Sequence, residues 1–454
     1  MMSEINQQTY QNIILGLGLS GVSVARFLQE QDQEFIVMDT RAEPPGQKEL
    51  FAVNPATKLI KGKFDQGLLN NAKRLIVNPG LSIKEGSILK AKNNGVEIIG
   101  DIELFARSIK QQDVKLVGIT GSNGKSTVAS LVQTMILDAG FTSLLGGNIG
   151  IPALDLLTKE KPAAYVLELS SFQLETTDSL ECDVAAVLNI CEDHLDRYVD
   201  FAAYVKAKQK LASQTKALVI LQDDVILKSW KKYPGIKHIG ITSSNPFKAA
   251  EFGTRLIADE LWLVKGSDKL IPAAEIYLKG KHNVLNSLTA LAIGFELDLS
   301  LPDMQKTLKE FKGLAHRTQL VRKKAGVSWI NDSKGTNVGA TIAAIESLAG
   351  KNNIVLLAGG QSKEGDFAKL AVTAKGRVKQ AILFGEDARA IAEHLKKTVK
   401  YTVVDSFSDV VKLADEIAVA GDTVLFSPAC ASFDMFKNYV ERGEHFVSLV
   451  ENLP

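Results

Sequence analysis

Residues 114–140 read VKLVGITGSNGKSTVASLVQTMILDAG: an apolar β-branched run, a glycine-rich turn, then a long helical pattern opening at Lys125. A strand that stops on such a turn and restarts as a helix aims the loop's N–H groups inward and adds the positive end of the helix dipole, which together cradle an anion. Gly121, Ser122, Asn123 and Gly124 form the loop, Lys125 can reach terminal phosphates, and a hydroxyl of Ser126 or Thr127 can ligate magnesium. The usual P-loop spacing would place glycine at position 119, which is Ile119; the glycines here are Gly118, Gly121 and Gly124. The competing reading is a plain glycine turn with an incidental lysine. With strand, loop and helix start all in place, the segment constrains the chain to an α/β fold whose site lies at strand C-termini.

A second glycine loop precedes it. NIILGLGLSGVSVARFLQEQDQEFIVMDT carries G-x-G-x-x-G at Gly16, Gly18 and Gly21, opens a helix, and ends its next strand at Asp39. Alone, that fingerprint suggests a dinucleotide site and an NAD-dependent oxidoreductase. Such an enzyme would leave GSNGKST idle, so the two loops need one explanation.

At 454 residues the chain calls for three domains at about 150 residues each. From residue 11 to about 108, NIILGL, EFIVMD, RLIVNPG and VEIIG alternate with helical patterns. VKLVGIT, AAYVLELS and DVAAVLNI begin a second set over 109–313, and NIVLLAGG, VKQAILFG, KYTVVDS and DTVLFSPA a third over 314–454. A net charge of +1 supplies no global field for nucleic acid or anionic lipid, so any phosphates must be held locally. Cys182, Cys191 and Cys430 form no metal or disulfide pattern, the polar start MMSEINQQTYQN lacks the basic-then-apolar pattern of a signal peptide, and no apolar run approaches about 18 residues. A cytoplasmic protein acting on small molecules, without membrane or nucleic-acid partners, is expected.

Hard oxygen ligands for a triphosphate's metal should stand at strand ends. Glu168 in YVLELSSFQLE is an unusual guest in a β-rich run; it either pairs with a cation or positions metal or water beside the loop. His194, in VLNICEDHLDRY, follows another strand and is either structural or a ligand. In FAAYVKAKQKLASQ, Phe201, Tyr204, Val205, Leu211 and Ala212 make an inward stripe with Lys208 in its middle, while Lys206 and Lys210 face water. A buried Lys208 would be a neutral amine able to act as a base or to take up carbon dioxide as a metal-binding carbamate. A Lys208 that snorkels would pack its stem and keep its ammonium wet.

TGSNGKST, ELSSFQLE, NICEDHLDRY with YVKAK, KGKHNVLN, AHR and NDSKGTN occur in the order of one family: the chain resembles, over essentially its whole length, the Mur ligases, ATP-dependent amino-acid-adding enzymes of peptidoglycan precursor synthesis. GLGLSG, NDSKGTNVGAT and SPACASFDMF look like the branch that adds D-glutamate to UDP-N-acetylmuramoyl-L-alanine. The resemblance implies three α/β domains: a Rossmann-like N-terminal domain for the UDP substrate, a central P-loop ATPase-like domain, and a Rossmann-like C-terminal domain for the amino acid. Gly18, Leu19, Ser20, Asp39, Thr40, Arg41, Asn78 and Gly80 match the UDP site, with Asn148 near the pyrophosphate.

For ATP the resemblance adds Asn283 and Asn286, which share a helix face, together with Arg317 and Asp332. Arg317 read alone could equally be a structural ion pair. Ser126 and Glu168 resemble ligands of one magnesium ion, His194 and a carbamylated Lys208 those of a second, which tips Lys208 away from snorkelling. Thr336, Lys363, Ser432 and Tyr439 match the D-glutamate side, with Ser432 expected to cap the helix after SPACAS and Tyr439 departing from a more usual phenylalanine. Cys430 reads as a small packing residue. A diaminopimelate-adding or folylpolyglutamate-type ligase fits the P-loop but accounts less well for the N-terminal unit. A monomer is expected.

Overall fold

The computed structural model describes residues 10–157, 160–194, 197–230, 233–362 and 366–454. Three sheets follow one another along the chain. The first has β1 (Asn12–Leu15), β2 (Phe35–Asp39), β3 (Leu59–Lys61), β4 (Arg74–Val77) and β5 (Glu97–Ile99), parallel throughout in the order β3-β2-β1-β4-β5. Chain direction from β1 reverses between β1 and β4, so the C-terminal ends of β1, β2 and β4 open a crevice. Gly16 (φ +86) turns the chain there, and a Cβ on Gly21 would sit 2.2 Å from the Gly16 carbonyl oxygen. Only glycine lets helix Leu19–Glu30 start so close to its strand.

The central sheet contains β6 (Lys115–Thr120), β7 (Ser143–Gly147), β8 (Ala164–Glu168), β9 (Cys182–Val187), β10 (Thr215–Leu221), β11 (Lys237–Ile241), β12 (Phe252–Ile257), β13 (Glu260–Lys265) and β14 (Asp268–Pro272). Their order is β14-β13-β12-β11-β10-β9-β6-β8-β7, parallel from β7 to β12 and closed by an antiparallel β12-β13-β14 meander. Because β6 lies between β8 and β9, the loop after β6, Glu168 at the end of β8 and the loop after β9 share one edge. β6 and its neighbours are buried on both faces, which explains their continuous apolar runs. The meander is not among the sequence expectations. Its first turn uses Ala258 (φ +50) and Asp259 (φ +63) where hairpins usually place Asn-Gly, so the turn carries no glycine signal.

The first two sheets are joined by one apolar cluster. Helix Asp101–Ile109 buries Ile102, Phe105 and Ile109 in it, together with Ile14 and Leu17 from the first unit and Leu116, Tyr165 and Leu211 from the second.

The third sheet comprises β15 (Gln319–Lys324), β16 (Val327–Asn331), β17 (Ile354–Gly359), β18 (Val378–Phe384), β19 (Lys400–Val403) and β20 (Thr423–Ala429), ordered β15-β16-β20-β17-β18-β19 with only the β15-β16 pair antiparallel. Along β17 the period of two sends Ile354, Leu356 and Ala358 to one apolar layer and Val355 and Leu357 to the other, where Trp329, Phe426 and Phe446 pack. Among the described residues no helix is long and apolar enough to cross a membrane.

Candidate active site at the strand ends of the central sheet

The loop leaving β6 passes through Gly121 (φ +150) and Gly124 (φ +84) into helix Lys125–Asp138. A Cβ on Gly124 would lie 2.7 Å from Asn286 Oδ1, so the loop is closely backed by the helix Lys281–Glu296 that carries Asn283 and Asn286. The loop is also fixed from the side. Asn123 N–H donates to Asn189 Oδ1 (2.8 Å), Asn189 Nδ2 donates to the Asn123 carbonyl (3.0 Å), and Ser122 Oγ donates to the Cys191 carbonyl (3.0 Å). Lys125 Nζ folds back to donate to the carbonyls of Gly121 and Ser122, both at 2.9 Å. Burial pushes its pKa down while Glu168 and Asp193 pull it up. An anion in the loop would therefore meet a lysine already poised over it.

Glu168 is buried at the end of β8. It accepts hydrogen bonds from Ser126 Oγ and, at 2.7 Å, from Asn148 Nδ2; Ser126 Oγ in turn accepts from Arg317 Nη2 at 2.5 Å. Burial alone would raise the Glu168 pKa, but Lys125, Arg317 and these hydrogen bonds hold it below the usual carboxylate value. The result is an anionic carboxylate beside a hydroxyl at the mouth of the loop. Among the described residues no cluster of three His, Cys, Asp or Glu side chains could hold a metal unaided. The Glu168 carboxylate beside the Ser126 hydroxyl suits magnesium, which commonly takes one or two carboxylates and completes its shell with phosphate oxygens and water.

Lys208 does not snorkel. It is 2% exposed on helix Phe201–Gln209, with Nζ donating to the Gly121 carbonyl at 2.8 Å and lying 4.8 Å from the Tyr204 ring centroid. Burial, then the nearby Lys125 charge, drives its pKa well below the ordinary lysine value. Tyr204 and Lys208 fall on the inward face of this helix, Leu211 and Ala212 are buried in the 3-10 turn Lys210–Ser213 that continues it, and Lys206 faces solvent. Lys210, expected to face water with Lys206, is half-buried and donates to the Glu175 carbonyl at 3.1 Å because the chain tightens there. His194 sits across the cavity in left-handed backbone (φ +56), its Nε2 3.7 Å from Asp193 Oδ2 and its ring edge-on to Phe172.

These groups line a cavity of ≈ 210 Å³ that also receives Lys334, Thr336 and Asn337 from the third unit. Beside it opens a cleft of ≈ 610 Å³ lined by Thr127, Asn283, Asn286, Arg317 and Asp332, which shares Asn123, Gly124, Arg317 and Lys334 with the first. A pocket for phosphates thus continues into one wide enough for a base and ribose. Asp332 is nearly enclosed: its oxygens accept from Thr318 N–H (3.0 Å) and Ser427 Oγ (2.6 Å), and burial raises its pKa to about 6. It holds the 316–318 turn that aims Arg317.

At the N-terminal crevice Asp39 accepts from Leu17 N–H (2.7 Å) and from Arg41 Nη2 (2.6 Å) and Nε (2.9 Å). That carboxylate ties the turn after β1 to the loop after β2 at the edge of the crevice. Leu19, Thr40 and Arg41 are exposed at this edge, with Gly18, Ser20, Asn78 and Gly80 beside them. Asn148, grouped from sequence with the UDP side near the pyrophosphate, donates to Glu168 in the central cavity.

On the amino-acid side Thr336 reaches the cavity, while Ser432 is buried in the turn that follows β20. Ser432 is not a helix cap. Helix Tyr439–Glu451 starts seven residues later and is capped by Asn438, whose Oδ1 accepts from Val440 and Glu441 N–H, because residues 432–436 close a turn on the Ser432 carbonyl first. Tyr439 lies against Lys334, whose Nζ is 3.9 Å from its ring centroid. Lys363 lies outside the described residues.

Sequence reasoning missed Asp193, Lys334, Asn337 and Arg442. Lys334 and Asn337 stand inside NDSKGTN, between residues that were singled out, and Asn337 Nδ2 reaches Asp193 Oδ2 at 3.2 Å. Arg442 is fully buried and donates to the carbonyls of Ser333, Cys430 and Ala431, pinning both loops of the third unit; nothing in its local sequence distinguishes it from a surface helix arginine.

A phosphate loop with an acid at the next strand end and an arginine entering from a third domain defines a multidomain nucleotide-dependent enzyme. The chain belongs to the Mur ligase family: residues 10–100 match the Mur ligase MurD-like N-terminal domain, 119–294 the Mur ligase middle domain, and 316–430 the Mur ligase glutamate ligase domain. It is 43% identical over 442 residues to the UDP-N-acetylmuramoylalanine--D-glutamate ligase of Nitrosococcus oceani, covering 97% of this chain and 96% of that one. It is also 43% identical over 446 residues to the enzyme of that name from Coxiella burnetii, covering 97% and 98%. Among solved structures, the fold is similar to UDP-N-acetylmuramate-alanine ligase MurC of Thermotoga maritima (TM-score 0.60, 17% identity, 97% and 99% covered) and to MurF ligase of Thermotoga maritima in complex with ADP (TM-score 0.60, 15% identity, 98% and 96% covered).

Proposed function

We propose that the protein joins D-glutamate to UDP-N-acetylmuramoyl-L-alanine with conversion of ATP to ADP and phosphate, acting as a cytoplasmic monomer in peptidoglycan precursor synthesis. The observation that carries this is the chain of contacts Arg317 to Ser126 to Glu168 around Lys125, which brings a third-domain cation onto the phosphate loop within one cavity. The curated relatives at 43% identity over nearly the whole chain carry the name of that reaction.

A carboxylate is a poor electrophile. In the proposed reaction a substrate carboxylate oxygen attacks the γ-phosphorus, ADP leaves, and an acyl phosphate forms; the D-glutamate amine then attacks the acyl carbon and loses a proton, and phosphate departs with that carboxylate oxygen. Two anions must approach in the first step, so Lys125 and Arg317 offset the charge that would hold them apart. Asn283 and Asn286 stand where the adenosine end would lie, and Asn148 orients Glu168. Ser126 and Glu168 fit one magnesium ion, and His194 with Lys208 a second; bound metal would supply further charge neutralisation at the phosphates. Lys208 is suited to carbamylation because burial favours its neutral amine, the form that reacts with carbon dioxide, and Lys125 is near enough to balance the resulting anion. Thr336, Ser432, Tyr439 and Lys363 are proposed for D-glutamate, with Lys334 beside them. Closure of the third domain would exclude water from the acyl phosphate.

The test is phosphate release and product mass with ATP, magnesium, UDP-N-acetylmuramoyl-L-alanine and a panel of amino acids. D-Glutamate should be preferred by about a hundredfold or more over L-glutamate, L-alanine and meso-diaminopimelate, with one glutamyl unit added. Preference for any of the others would overturn the assignment.

A further inference from the structure

Arg197 belongs to the central domain, three positions after His194, yet its guanidinium is spent on the N-terminal one. Nη2 donates to the Leu81 carbonyl at 2.6 Å, and Nη1 to the carbonyls of Pro79 and Gly80, each at 3.3 Å. This is the loop after β4, which also carries Asn78. On its own side the guanidinium stacks 4.4 Å from the Phe172 ring centroid and meets Glu175 Oε2 at 3.5 Å. Phe172 also packs against the His194 ring, 4.8 Å between centroids. The Arg197 N–H donates to the His194 carbonyl at 3.0 Å, and Tyr198 N–H adds a second bond at 3.2 Å. One residue therefore links the substrate loop of the first domain to the turn that holds His194 in left-handed backbone, a conformation a non-glycine residue keeps only when its surroundings impose it.

Two features separate this from general domain gluing. The two domains are already joined without Arg197, by the shared apolar cluster and by Ser23 and Arg26 on Asp155 (2.9 and 2.6 Å). The guanidinium is also only 14% exposed and directs a rigid, planar set of donors at three successive carbonyls, a geometry that a lysine's point charge cannot reproduce.

We infer that Arg197 is a positioning residue: it sets the distance between the loop at 78–81 and the His194 turn, and so between a substrate held by the N-terminal domain and a phosphate held by the central one. The inference rests on the function proposed above. Reacting atoms must come within about 3.5 Å, and a misplacement of about 1 Å can cost about a hundredfold in rate.

The test measures kcat, the KM for UDP-N-acetylmuramoyl-L-alanine, the KM for ATP and the melting temperature in Arg197→Met, Arg197→Lys and, as a control at the other interdomain contact, Arg26→Met. Arg197→Met should raise the KM for UDP-N-acetylmuramoyl-L-alanine and lower kcat by about tenfold each, with the KM for ATP within about twofold of wild type. Arg197→Lys should fall between, and Arg26→Met should leave all three constants unchanged. A folded Arg197→Met variant with wild-type constants would overturn the inference, and so would an equal rise in both KM values or an Arg26→Met variant that behaves the same way. If Arg197→Met does not fold, Arg197→Lys decides by whether the UDP-substrate KM rises alone. Wild-type protein inactive with D-glutamate would instead overturn the function, whereas an active wild type matched by Arg197→Met removes only this inference.

Discussion

Replacing Lys125 by alanine abolishes turnover, by at least about a thousandfold, and leaves binding of the UDP substrate measurable by titration. The size of the effect follows from charge. The loop supplies N–H dipoles, but Lys125 is the full positive charge within it, held by the Gly121 and Ser122 carbonyls. Its loss leaves only Arg317, anchored on Ser126, and Lys334 at the cavity wall, both from the third unit, to oppose a carboxylate approaching a triphosphate. UDP-substrate binding survives because the crevice at Gly16, Asp39 and Asn78 belongs to a different sheet. Activity within tenfold of wild type would remove Lys125 from the chemistry.

The second large effect separates activity from stability at Lys208. Lys208→Met should be inactive, and Lys208→Ala inactive but partly rescued by short carboxylic acids that fill the vacated space and restore an anion. Both variants delete an amine that burial penalises, and the Gly121 carbonyl keeps its bond from Lys125, so Lys208→Met should melt no lower than wild type. The pH dependence has a definite sign. Because the folded-state pKa lies below the unfolded one, the unfolded chain binds more protons, and this residue's contribution to stability rises with pH from its lowered folded-state value up to the ordinary lysine value of 10.5. The stability advantage of Lys208→Met should therefore shrink as pH climbs through that window. The comparison is made without bicarbonate, since carbamylation would remove the penalty. A fully active Lys208→Met enzyme would mean that the amine only packs beneath the loop.

What the sequence disclosed and what it hid divide along physical lines. The strand, loop and helix around Lys125 were legible because each rests on local chemistry: an apolar run, glycines where φ is positive, a helix opened by Lys-Ser-Thr. Parallel strands buried on both faces stood out for the same reason, as runs rather than alternations. The β12-β13-β14 meander stayed hidden because its first turn lacks glycine, and β15-β16 because β15, QLVRKK, is an edge strand rich in charge. The periodicity around Lys208 placed it in the inward stripe but could not say whether the amine escaped to water; the answer depends on Gly121, 87 positions away. Arg442 and Asn337 were invisible because their partners are backbone atoms and side chains brought close only by the fold. Ser432 looked like a helix cap because the serine precedes a helical pattern, yet the turn it opens ends before the helix begins at Tyr439.

The central claim is that the loop before Lys125 hands a terminal phosphoryl group to the carboxylate of the substrate gripped by the N-terminal domain. The most direct test supplies UDP-N-acetylmuramoyl-L-alanine with oxygen-18 in that carboxylate, together with ATP, magnesium and D-glutamate, and analyses the released phosphate by mass spectrometry. The account predicts one labelled oxygen in the phosphate for each amide formed. Amide formation accompanied by unlabelled phosphate would contradict it.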